Sequence, residues 1–173
     1  MKTSALEDKV KKFKNGDKSA FDYIYENTYK PLYFNILYYV KDKMYAEDIL
    51  HDVYLKAIAS LSSYSPDTNF VAWLCKIGKN LALNFLERRK REVLTDFDNP
   101  AQGGTYETEL PYVFEIARKV LSEEDYKIVM MCQVAGYKRR EVAEIMEMPI
   151  GTVTWKNNQA LKKLKDCLED KIK

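Results

Sequence analysis

The chain has 173 residues, 46% of them apolar and 31% charged, with only 6 glycines, 5 prolines and a net charge of +2. This composition can bury one ordinary core or two small ones, and it excludes collagen-like, low-complexity and wholly disordered readings. No apolar run approaches the roughly 18 residues of a membrane span and Met1 to Gly16 is charged throughout, so neither a span nor a secretory leader is expected, and the chain is expected in the cytoplasm.

The three cysteines, Cys75, Cys132 and Cys167, form no CxxC pair, and His51 is the only histidine. Neither a disulfide framework nor a zinc site is expected, and no cofactor. The first block reads as helices. Phe21, Tyr25, Tyr29, Leu32, Tyr33, Ile36, Leu37 and Val40 recur three or four apart after the turn Asn15-Gly16-Asp17, which predicts one long helix with a buried stripe. Pro31 falls inside it and predicts a kink. A second helix is predicted from Ala46 to Ala59, with Ile49, Leu50, Val53, Leu55 to Ala57 and Ile58 inward and Glu47, Asp48, His51, Asp52 and Lys56 outward. Ser60 to Asn69 is rich in turn formers and predicts a loop. A third helix runs from Phe70 through Trp73, Leu74, Ile77 and Leu81 to the cationic run Arg88 to Arg91, which complements its dipole.

Charge divides the chain further. Residues 1–91 carry 16 basic and 11 acidic groups, 92–111 carry 5 acidic groups and no basic ones, and 112–173 carry 12 and 10. Two mildly basic blocks are thus joined by an acidic stretch containing Asn99-Pro100, Gly103-Gly104 and Pro111, which reads as a flexible linker that lets the two modules bind well apart. In the last block, Val113 to Leu121 and Glu123 to Val134 precede a short amphipathic segment, Arg140 to Met148, and a second one opening at Ile150 after Pro149. A small Ala143 inside the first and a tight turn before the second suit a helix-turn-helix, although a generic helical hairpin has the same pattern.

Catalysis has little support. His51, Asp48 and Asp52 share one helical face, but no nucleophile, second ligand or glycine-rich phosphate cradle accompanies them, and a protein-contact surface is the simpler reading. Nucleic acid is better served. Tyr64, Asn69, Phe70 and Trp73 flank the turn-rich loop, with Lys76, Lys79, Asn80, Arg88 and Arg89 along the next helix, a mixture of stacking faces and phosphate partners suited to unpaired DNA. Phe70 and Trp73 are also spaced as core residues would be. On the last helix, Thr152, Thr154, Trp155, Lys156, Asn158, Gln159 and Lys162 are expected to face outward, where Asn and Gln suit adenine and threonine or tryptophan a thymine methyl. Lys138, Arg139 and Arg140 begin the preceding helix, where positive charge opposes the helix dipole and a phosphate would relieve the conflict.

These residues carry a resemblance. Ala46 to Lys56 followed by Phe70 to Ala82 resembles region 2 of the extracytoplasmic-function (ECF) sigma factors, and Leu121 to Asp125, Glu141 to Met146 and Pro149 to Val153 resemble region 4. The resemblance implies an all-α protein of two small helical domains, region 2 over 1–91 and a region 4 helix-turn-helix over 112–173, joined by a linker over 92–111. It implies a non-catalytic subunit that binds core RNA polymerase and directs it to promoter DNA, with an anti-sigma factor as a further partner. Asp48, His51, Asp52 and Lys56 would face the polymerase, Tyr64 to Asn69 would capture a flipped base of the minus-ten element, and the last helix would read the minus-thirty-five element. A helix-turn-helix regulator acting without polymerase is the alternative. Within region 4, Asn157 takes an inward position that is apolar in the family, where an unpaired amide costs about 1–3 kcal/mol, and Lys138 replaces a serine-like cap.

Overall fold

The computed structural model describes residues 2–95 and 112–172, and every regular element among them is helical. The α-helices are α1 (Lys2–Lys14), α2 (Ala20–Val40), α3 (Lys43–Ala59), α4 (Phe70–Thr95), α5 (Tyr112–Val120), α6 (Glu123–Val129), α7 (Arg139–Ile145) and α8 (Ile150–Ile172), with a short 3-10 turn over Leu61–Ser63 before α4. The expected all-α class holds. Helix α1 was not anticipated, and it forms because Leu6 and Val10 fall one turn apart and bury fully while Phe13 half-buries. Helix α3 starts three residues before the predicted Ala46, because the Asp42 side chain accepts from the Tyr45 amide at 3.1 Å and caps it. Helix α4 runs on to Thr95, so the first residues assigned to the linker are helical; residues 96–111, the remainder of that linker, lie outside the described residues.

The first four helices pack around Leu32, Ile36, Val53 and Leu74, all sealed from solvent. Gly78 lets α4 approach α2 closely, since a Cβ there would stand 3.1 Å from Leu32 Cδ1 and 3.2 Å from Ile36 Cγ1. In the second half, Ser122 caps α6 by accepting from the Asp125 amide at 3.1 Å. The helix then widens into a π-turn over Met130–Val134. Gly136, at φ +70°, turns the chain toward α7. Lysine offers no acceptor at the start of α7, and the Glu141 carboxylate instead reaches back to the Lys138 amide at 2.9 Å. Val153, Asn157, Ala160 and Leu164 form the buried stripe of α8.

The two halves are docked, an arrangement that the sequence leaves open. Ile128, Met131, Tyr137, Val142, Ile145 and Val153 belong to the same apolar cluster as Ile24, Leu32 and Ile36, and Phe114 of α5 stacks on Phe34 of α2 at 5.1 Å. A local irregularity in α2 contributes. Pro31 has no N–H, so the Asn27 carbonyl lacks the donor that a regular helix would supply. The Tyr137 hydroxyl donates to that carbonyl at 2.6 Å. The sequence predicted a kink at Pro31; in the structure the proline leaves an acceptor for the other half of the chain.

Candidate nucleic-acid interface

Three surfaces carry the sequence-predicted residues. On α3, Asp48, His51, Asp52 and Lys56 are all exposed, as expected. Leu55 (54% exposed) and Ile58 (45%) were assigned to the core and are not in it. With Met44 (59% exposed) they fall at helical spacing along the stripe that holds Asp48 and His51, giving a mixed apolar and charged face that no described part of the chain covers.

The loop before α4 differs from expectation. The sequence suggests Tyr64 and Phe70 as stacking faces, but both are buried. They pack on each other edge to face at 5.1 Å, with Trp73 at 5.2 Å from Tyr64 and 5.5 Å from Phe70, so the aromatics complete one another's burial. Burial pushes the Tyr64 phenol well above its ordinary pKa. Trp73 remains half-exposed, and the segment Ser65 to Thr68 is the part of the loop that meets solvent. Asn69 caps α4, accepting from the Ala72 amide at 3.1 Å, and donates through Nδ2 to the Glu144 carbonyl of α7 at 2.8 Å.

Along α4, Lys76 and Asn80 are exposed. Lys79 is engaged by the second half, 3.3 Å from Glu123 Oε1. The same carboxylate accepts from the Tyr39 hydroxyl and from Lys127 at 2.6 Å. Asn35, in the orientation that satisfies both of its neighbours, donates to the Cys75 carbonyl at 3.3 Å and accepts from Lys127 at 3.2 Å. Burial pushes the Glu123 carboxyl up, but hydrogen bonds from Lys127 and Tyr39 and the charges of Lys127 and Lys79 outweigh it and bring the pKa down to about 2. Further along, the Arg89 guanidinium lies 4.7 Å from the Tyr45 ring centre, and Arg88 is ion-paired with Glu92 at 3.7 Å; both are exposed.

On the second half, Trp155 is 62% exposed, flanked by exposed Asn158, Gln159 and Lys162, while Thr152 and Thr154 are half-buried. Lys138, Arg139 and Arg140 are exposed beside this face, and Arg139 donates to Asn158 Oδ1 at 3.4 Å. Lys156 was expected to be free for DNA. It bridges instead to Glu124 at 2.5 Å and Asp125 at 3.5 Å on the first turn of α6. Asn157 is fully buried, and neither side-chain atom has a hydrogen-bond partner among the described residues. Residues without a signal of their own in the sequence also take part: Glu7, Lys11 and Lys14 of α1 bond the loop, and Glu123 and Tyr137 bond across the halves. The spacing of Leu6, Val10 and Phe13 was the available signal for α1.

The family model for sigma-70 region 2 matches residues 24–92. The RNA polymerase sigma-H factor of Pseudomonas aeruginosa is 24% identical, with 83% of each chain covered. The ECF RNA polymerase sigma factor SigW of Bacillus subtilis is also 24% identical, over 95% of this chain and 97% of that one. Among solved structures, the sigma factor RpoE of Bartonella quintana, crystallised with the anti-sigma factor NepR, aligns at a TM-score of 0.53 with 25% identity over 80% of this chain and 89% of its own. CnrH in complex with the cytosolic domain of CnrY shares the fold at a TM-score of 0.62, with 17% identity over 98% and 99%. A promoter-recognition subunit is the class these features describe. The chain carries a match to sigma-70 region 2 and is similar over most of its length to ECF RNA polymerase sigma factors.

Proposed function

We propose that this chain binds core RNA polymerase and directs promoter-specific initiation, a role of recognition rather than chemistry carried out in the cytoplasm. The observation that carries this reading is the outer face of α3. Exposed Met44, Leu55 and Ile58 are interleaved with Asp48 and His51 on a helix inside the region 2 match, the composition of a protein-binding surface. A regulator acting on duplex DNA alone would have no use for it. We assign residues 1–91 to polymerase contact and minus-ten melting, and 112–173 to the minus-thirty-five element, where Trp155, Asn158 and Gln159 form the reading face. Lys76, Asn80, Arg88 and Arg89 follow the opened strand. An anti-sigma factor is a further partner class, since the RpoE relative was crystallised with one.

In the docked form Asn69 and Lys79 are occupied by the second half. Elements centred about 25 base pairs apart lie about 85 Å apart along B-DNA at ~3.4 Å per step. A compact chain of this length has a radius of gyration of only about 16 Å. The halves must therefore part before both elements are read. The test is co-purification with core polymerase followed by run-off transcription from a library of genomic fragments. Leu55→Asp should cost tenfold or more in polymerase affinity, because a charge would enter the centre of the contact. Unchanged affinity, or DNA binding with no polymerase association, would favour the polymerase-independent regulator.

A further inference from the structure

Resting on the reading of Tyr64 to Asn69 as the element that captures an unpaired base, we infer that helix α1 is the splint that holds this loop in shape, with Glu7 as its positioning residue. The loop's backbone is unusual. Asp67 is a non-glycine residue at φ +63°, a conformation that costs about 1–2 kcal/mol and persists only when its surroundings impose it. Those surroundings come mainly from α1. Glu7 Oε2 accepts from the Asp67 amide at 3.2 Å, and Glu7 Oε1 accepts from the Phe70 amide at 3.0 Å and from the Tyr64 hydroxyl at 2.7 Å. One carboxylate thus ties the start, the tip and the end of the loop.

Two lysines complete the arrangement. Lys11 pairs with the Asp67 carboxylate at 2.7 Å, and Lys14 donates to the Ser62 and Tyr64 carbonyls at 3.2 and 2.7 Å. Glu7, Lys11 and Lys14 are spaced so that all three project from α1 on the side of the loop. Tyr64 is therefore buried for a purpose other than stacking on DNA: its ring seals the base of the loop and its hydroxyl reports to Glu7. A cavity of about 320 Å³ opens beside the loop, walled by Leu6 and Glu7 of α1, by Thr68 and Asn69, and by Glu144 and Ile145 of α7. The α7 wall leaves when the halves part, which opens this space to an unpaired base while α1 stays in place. A loop ordered before it meets DNA loses less freedom on capture, so the strand's unstacking cost is met more fully by the contacts it forms.

The experiment uses full-length protein bound to core polymerase and single-stranded oligonucleotides carrying the minus-ten sequence of a promoter selected by run-off transcription. An abasic nucleotide is placed at each position in turn. The wild-type protein should lose about tenfold or more in affinity at one captured position. Glu7→Ala should bind the intact strand about that much more weakly and lose less than twofold on abasic substitution at that position, while its penalties elsewhere and its polymerase affinity stay at wild-type values. Glu7→Gln, whose amide oxygen still accepts from Tyr64 and Phe70 but whose NH2 opposes the Asp67 amide, should fall between. Tyr64→Phe, which removes one bond and preserves the ring, should shift in the same direction by a smaller factor.

Glu7→Ala and Tyr64→Phe proteins that bind polymerase normally and keep the full abasic penalty would overturn the inference. So would a uniform loss at every position, which is what a merely destabilised fold produces. If the wild-type protein itself shows no position-dependent penalty, the reading of the loop as a capture element fails, and the inference with it.

Discussion

Asn27 and Tyr137 are 110 positions apart, yet one hydrogen bond of 2.6 Å joins them, and its acceptor exists because residue 31 is proline. Tyr137 is 5% exposed, so Tyr137→Phe leaves the Asn27 carbonyl without this donor in a place water reaches poorly, at a cost of about 1–2 kcal/mol. Pro31→Ala restores an N–H that can bond the same carbonyl. In that background the tyrosine hydroxyl has a competitor, and Tyr137→Phe should cost no more than about 0.5 kcal/mol. The coupling between the two sites is then about 1 kcal/mol, within reach of a double-mutant cycle built from urea unfolding of the four proteins followed by circular dichroism. Equal m-values across the four would show that each change acts on stability rather than on the extent of unfolding. An equal cost of Tyr137→Phe in both backgrounds, or no cost in the wild type, would refute the account of Pro31 as the source of the acceptor.

Acid should weaken the docking of the two halves through Glu123. Its carboxyl is held at about 2 rather than 4.5, partly by Lys127 of the same half, so with 35% of the side chain meeting water the share that Tyr39 and Lys79 give to docking is about 1 kcal/mol at neutral pH. A depressed carboxyl stabilises in full above its unfolded value, so the contribution is complete above about pH 4.5 and lost as pH falls toward 2; distances between spin labels on α3 and α8 should lengthen in that window, and Glu123→Gln should remove this pH dependence. Asn157→Leu replaces an orphaned buried amide with a similar apolar volume and should raise stability by about 1–3 kcal/mol, read as a higher melting temperature; a lower one would mean that the amide has a partner in solution. Trp155→Ala should alter preference upstream while leaving the melting temperature within a degree or two, because its side chain lies outside the core; a loss of stability instead would place it in a packing role.

Local signals carried much of the fold. The stripe from Phe21 to Val40, the turn formers between Ser60 and Asn69, and Val142, Ala143 and Ile145 before Pro149 each announce their elements from within a few residues. The inward placement of Asn157 was also legible, because it follows Val153 by one helical turn. Helix α1 was hidden by its charge, since the lysines that bond the loop surround the three apolar residues that anchor it.

Leu55 and Ile58 show a different limit. Periodicity marks which side of α3 is apolar but not what covers it, and a face awaiting a separate molecule has the same spacing as a core. The aromatics around Trp73 pose the same ambiguity in reverse: residues suited to stacking on bases were used to stack on one another. The docking of the halves depends on groups far apart in the chain, Tyr39 with Glu123 and Asn27 with Tyr137, and no short window contains both partners.

The shared core makes parting the halves an act of exposure. Met131, Tyr137 and Ile145 lie against the first half in the closed arrangement, and separation presents their greasy surfaces to water. A chain built this way keeps an adhesive side covered while its halves are closed, so any step that parts them must also supply that side with a new cover.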